Sequence, residues 1–298
     1  MDIKGIACYI AIVLIASFAL QAAILFAGAP ASTAYGLFII PAIAAWLASV
    51  LSRSTAFKPG PAWPMDKGKA LRMIFGIPIA FAIFYSLATL VGYVGFDPAF
   101  SEIMSVAPPV EELHVDPSML PILPSILAAM GFAISLLLGP TLYTLAMLGN
   151  ECGWRGYLLP RLAPMGKWLA HIVTGAIWGV SLLPFVLLAH TGHIAPDVLR
   201  LMGFTISLSL LLGEVWKRSG NLGLTALCGG CFFCQATTFW PFAVITPSTT
   251  LPFGAGFDEV SILIALVLTV GTRIFFGLKT EARKNELPDK QENANDGK

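Results

Sequence analysis

Residues 5–52 read GIACYIAIVLIASFALQAAILFAGAPASTAYGLFIIPAIAAWLASVLS, a run between Lys4 and Arg53 without one Asp, Glu, Lys or Arg. A helix needs roughly 20 mostly apolar residues to cross the hydrocarbon core of a bilayer, and a charge buried there is costly, so the run reads as membrane-spanning. It has room for two helices, near 5–27 and 34–51, broken around Gly28 to Ser32 where Pro30 and small residues interrupt the pattern. Working outward, the charge-free runs Met73 to Phe96, Pro117 to Asn150 and Trp168 to Ala189 predict three more spans. Residues 198–216 carry Arg200 and Glu214 near opposite ends, where side chains can snorkel to the interface. Residues 221–244 are charge-free, and 259–278 carries Arg273 near its end. The reading is of eight helices.

The distribution of Lys and Arg tests that count, because short cytoplasmic loops collect positive charge. With the N-terminus inside, eight spans put 17 of the 18 basic residues on one face and leave Arg200 alone on the other. The opposite loops hold Asp97, Glu102, Glu111, Glu112, Asp116, Asp197, Asp258 and Glu259. Both termini are therefore expected in the cytoplasm and the chain in the cell membrane. The first run is too long for the apolar region of a secretory signal and reads as an uncleaved helix.

Composition points the same way: 56% hydrophobic and 12% charged residues contrast with about 25% charge in soluble domains. A net charge of +1 offers no basic field for nucleic acid, and five cysteines in 298 residues make no disulfide framework. The runs lack the alternation of a barrel strand, so the fold class is all-α, polytopic, with one transmembrane domain over 1–278. Residues 279–298, rich in Lys, Glu, Asn and Asp, read as a disordered cytoplasmic tail. Helix contacts are expected at Gly131 with Ala133, at Gly175 with Gly179 and at Gly229 with Gly230.

Chemistry concentrates in GNECGWRGYLLPRL, residues 149–162, where Glu151 and Arg155 at spacing i, i+4 form an ion pair if the helix continues. Read locally, this pair with Trp154 and Tyr157 is an interfacial anchor, rings at headgroup level and basic groups facing anionic lipid. The run NECGWRGYLLPRL also resembles the signature EExxxR of the CPBP intramembrane proteases, the CAAX-protease and bacteriocin-processing group also called Abi. AIWGVSLLPF at 176–185 resembles that family's second motif, an aromatic followed four residues later by His. WKRSGNLGLTALCGGCFF at 216–233 resembles the third, which carries HxxxN or HxxxD. The resemblance covers roughly residues 120–245.

What the resemblance implies is a peptidase within the bilayer: a first-motif Glu activates water, two histidines hold a metal or that water, and an Asn or Asp supports the oxyanion. Carried over by position, the first Glu is Asn150, the second Glu is Glu151, the Arg is Arg155 and the aromatic is Trp178, whereas the two His positions are Leu182 and Gly229 and the last partner is Phe233. Glu151 and Arg155 are the retained site residues. His171 begins the fifth span, but one His and one Glu do not make the three protein ligands of catalytic zinc. His190 and His193 lie across the bilayer from Glu151, and His114 falls among outer-loop acids. Cys228, Cys231 and Cys234 recur every three residues and drift around their helix, so they read as small apolar packing rather than a thiolate metal site.

The expectation is a CPBP-like integral membrane protein without proteolysis, a pseudoenzyme with a binding or scaffold role. Its partners would be the lipid bilayer and a membrane protein or peptide segment; no nucleic acid and no cofactor are expected. The alternatives are an active CAAX or CPBP-type endopeptidase with a rearranged site, which would need zinc, and an unrelated polytopic transporter.

Overall fold

The computed structural model describes residues 2–52, 57, 59–97, 100, 117–119, 121–188, 194–245 and 257–278. Residues 279–298, assigned to the tail, lie outside them, as do His114, His190 and His193. The helices are α1 (Ile3–Phe26), α2 (Ile40–Leu51), α3 (Lys67–Leu90), α4 (Leu123–Met165), α5 (Lys167–Leu188), α6 (Ile194–Ser219), α7 (Leu222–Phe239) and α8 (Glu259–Val270). All eight fall on the runs read from the sequence, and the protein is an all-α polytopic membrane protein. Six of them, α1 and α3 to α7, are long and apolar enough to cross a membrane. The second expected span is instead a bent pair, a 3-10 helix over Ala31–Phe38 joined to α2 at 43°, and would make a seventh. The break between α1 and this pair comes where glycine allows it, since Gly28 has φ +69°. The eighth is only 12 residues long, stopping at Gly271 before a last turn, Thr272–Phe275.

Short polar side chains start four of these helices. Asp2, Asp66, Asn221 and Asp258 accept from the backbone N–H of Gly5, Lys69, Leu224 and Ser261 at 2.8–2.9 Å, which satisfies donors the first turn leaves free. Charge-free runs underestimate α3 and α4. Lys67, Lys69 and Arg72 belong to the first turns of α3, and α4 continues past Asn150 to Met165.

Helix α7 is the centre of the bundle, buried without a gap from Leu222 to Phe232 and packed on α3, α4 and α6. Lipid-like surroundings give no hydrophobic reward for helix association, so close approach rests on small residues. A Cβ on Gly230 would lie 2.5 Å from Thr144 N, and one on Gly139 would lie 3.2 Å from the Cα of Cys231. Gly175 and Gly179 do the same between α5 and α6, a Cβ on Gly175 coming 2.6 Å from the Cα of Ile206. Gly131 makes only an ordinary contact, 3.8 Å from Phe239. The expected close packing thus holds at two of the three places. Large apolar side chains such as Ile15, Leu90 and Val270 face outward.

Charges sort to two ends. Asp2 pairs with Arg161 at 3.2 Å, Lys167 with Glu214, and Asn221 Nδ2 donates to Pro64 O at 3.1 Å, which gathers the starts of α1, α3, α5 and α7 with the ends of α4 and α6. At the other end Arg200 bridges Asp197 and Glu259, and Gly95 and Phe96 pair antiparallel with Ile245 and Val244.

One side chain repairs a helix. Pro184 interrupts α5, and there the Gln21 amide, fully buried on α1, donates to Ser181 O at 2.7 Å and accepts from Phe185 N at 3.1 Å. It thereby bridges two backbone groups that a regular ladder would pair with each other. Gln21→Leu should cost about 1–3 kcal/mol by stranding those groups. Thermal unfolding of the detergent-purified protein should record a lower midpoint, and an unchanged one would mean that the bridge contributes nothing.

Candidate functional site

The retained motif residues form an ion pair inside the bundle. Arg155 Nη1 donates to Glu151 Oε1 at 2.9 Å, one turn away on α4, and neither side chain has exposed surface. The guanidinium also donates from Nη2 to Ser209 O on α6 at 3.3 Å and has its Cζ 5.8 Å from the centroid of the Trp178 ring on α5. Ser209 Oγ in turn donates to His171 O at 2.9 Å, so α4, α5 and α6 are tied together around one arginine.

Backbone geometry places these groups. Trp154–Leu158 forms a π-helical turn, a widened segment that recurs at functional sites, and Arg155 lies in it. The aromatic members turn inward with it. Tyr9 on α1 stacks on Tyr157 at 5.1 Å between centroids and meets Trp154 edge-on at 5.6 Å, while Trp154 stacks on Trp178 at 6.4 Å. The reading of Trp154, Arg155 and Tyr157 as an interfacial anchor is therefore overturned, since all three have no exposed surface. The cause is spacing. Gly149 and Gly153 lie one turn apart in the motif, and with no side chains they admit the backbone of the α2 region at Phe38 and Pro41, which covers that face. Arg161 takes the rim position, its Cζ 3.6 Å from the Tyr157 ring centroid and its Nε on Asp2.

The positions that the resemblance assigns to hydrolysis do other work. Asn150 Oδ1 accepts from Trp154 Nε1 at 2.6 Å, and its amide faces Met147 Sδ at 3.6 Å. Leu182 packs against the apolar core. At Gly229 a Cβ would come 2.5 Å from Met147 Cε and 3.3 Å from Leu212 Cδ1, so methionine and leucine fill the space a larger residue would use. Phe233 stands among rings, 5.3 Å from Phe38 and 6.2 Å from Tyr143. Cys228, Cys231 and Cys234 are buried free thiols, the packing role read from their spacing. His171 is buried and packed on Gly213.

No three His, Cys, Asp or Glu side chains among the described residues are grouped to hold a metal ion. A catalytic zinc takes three protein ligands, and Glu151 has one oxygen committed to Arg155, so this donor set does not fit one. Tyr9, Ser209 and Gln21 escaped the motif-based reading. The last had a visible signal, as a lone amide in a run without charge.

A buried pair pays heavily for lost hydration, and Glu151 Oε2 and Arg155 Nε add no hydrogen bond to a protein group. Removing one partner leaves a charge stranded at a cost of about 3–5 kcal/mol, whereas replacing both with apolar residues of similar size is far cheaper. Glu151→Leu and Arg155→Met should each lower the unfolding midpoint more than the double variant does. Additive losses in thermal unfolding would contradict this account of the pair.

Residues 132–232 match the family model described as type II CAAX prenyl endopeptidase Rce1-like. No curated protein and no solved structure matches the chain. The matched segment runs from α4 into α7 and takes in Glu151, Arg155, Trp178, Leu182 and Gly229. The resemblance carried by NECGWRGYLLPRL is thus borne out over that segment, through which this polytopic membrane protein is CAAX protease-like.

Proposed function

We propose that the chain is a non-proteolytic, CAAX protease-like membrane protein whose role is to bind a membrane partner, a protein or peptide segment within the bilayer. The observation that carries this reading is the chemistry of the motif positions. A general base must accept a proton near neutral pH and a metal needs lone pairs, yet the Asn150 amide accepts no proton there, Leu182 and Gly229 have no side-chain lone pair, and the space beside Gly229 is taken by Met147 and Leu212. Glu151 and Arg155 are retained in this reading as the positioning pair that keeps α4, α5 and α6 in the family arrangement.

Residues 1–278 would form a single transmembrane domain in the cell membrane with both termini on the cytoplasmic face. The gathering of Arg161, Lys167, Lys217 and Arg218 at the end where α1 begins supports that orientation. Reporter fusions at both ends should be active only as cytoplasmic reporters; an exported reporter at either end would reverse it.

The functional reading is tested on the purified protein by metal content and by incubation with a prenylated CAAX peptide. No stoichiometric zinc and no cleavage are expected, with Glu151→Gln indistinguishable from the parent in both measurements. One zinc per chain, together with cleavage that Glu151→Gln abolishes, would establish the rearranged endopeptidase instead.

A further inference from the structure

Two lysines from different helices stand on either side of one carboxylate. Lys167 opens α5 and Lys217 lies near the end of α6, one turn beyond Glu214; both are exposed. Glu214, buried behind them, pairs with Lys167 and, at 3.0 Å, with Arg218. Lys167 and Arg218 therefore share this anion, and Lys217 stands beside it. The first turn of α5 adds to the imbalance, because it carries no acidic residue and its free N–H groups form the positive end of the helix dipole.

An apolar strip descends from this charge. Met165, Trp168, Leu169 and Ile172 are exposed, Trp168 by 55% and Ile172 by 40%, and the last three share one face of α5. Lys167 Nζ lies 4.4 Å from the Trp168 ring centroid, so the cation and the strip touch. Lysines at a helix end beside a tryptophan occupy headgroup depth. An excess of positive charge above a greasy surface matches a ligand that is anionic at one end and hydrocarbon at the other.

We propose that this corner is a binding site for an anionic glycerophospholipid, with its phosphate between Lys167 and Lys217 and an acyl chain along Trp168, Leu169 and Ile172. The site is independent of the hydrolytic motif. Glu214 holds Lys167 from behind and leaves the ligand to answer the repulsion between the two ammonium groups. The apolar strip selects a lipid over a free phosphate.

The test uses the full chain in nanodiscs of phosphatidylcholine that contain brominated phosphatidylglycerol or, at equal mole fraction, brominated phosphatidylcholine. Quenching of Trp168, isolated by subtracting the Trp168→Phe protein, reports occupancy. A lysine near the surface favours an anionic lipid about fivefold, so the pair should give a preference of roughly thirtyfold for phosphatidylglycerol. Lys167→Gln with Lys217→Gln should abolish that preference, and Lys167→Arg with Lys217→Arg should keep it. Equal quenching by the two lipids in the parent protein overturns the proposal even if the glutamine variant does not fold. A preference that survives in a folded glutamine variant overturns it too, as does loss of quenching on adding glycerol phosphate at the lipid's own concentration.

Discussion

An arginine and a glutamate without exposed surface, 2.9 Å apart, set the terms for the middle of this bundle. Charges in such surroundings gain much from each other and lose more to dehydration, so the pair persists only where the neighbouring backbone supplies further partners. Arg155 finds one in the Ser209 carbonyl and a ring face in Trp178, and those contacts dictate how α5 and α6 approach α4. The aromatic sleeve of Tyr9, Trp154 and Tyr157 closes the remaining sides. All of this needs backbones closer than ordinary side chains allow, which is why glycines flank the motif and line the facing helices.

Within that frame, packing and chemistry make different demands. Helix packing depends on volume and polarity, whereas hydrolysis depends on a few atoms. Here the packing elements of the motif remain, Glu151 with Arg155 and the aromatic Trp178, while the positions assigned to proton transfer and metal binding hold an amide, an isobutyl group and a glycine. Each replacement is locally satisfied: Asn150 by Trp154, Leu182 by the core and Gly229 by the Met147 and Leu212 that pack against it.

The outer ends of the helices follow electrostatics rather than packing. At one end Arg161 is tied to Asp2 and Lys167 and Arg218 to Glu214, and the other carries the acids around Arg200. The corner of Lys167, Lys217 and Trp168 belongs to the first of these, where the polar ends of helices meet lipid headgroups.

The sequence alone determined the class and the partition of the chain. Charge-free and charge-poor runs marked where the eight helices lie, the glycine spacing of GAIWG marked a close helix contact without naming α6 as its partner, and the motif spacing identified Glu151 and Arg155 as a pair. Those features are local, written in hydropathy and in the 3.6-residue turn. What tertiary structure decided is which way the motif faces and what fills it. Trp154 and Tyr157 look interfacial in isolation, and only the approach of α1 and α2 buries them. Gln21 is visible as an odd amide, but its service to the ladder at Pro184 depends on a helix 160 residues away. That Gly229 is crowded by Met147, rather than opening onto a cavity, is a matter of side-chain volumes from three helices meeting at one point, and one-dimensional spacing does not encode such a meeting.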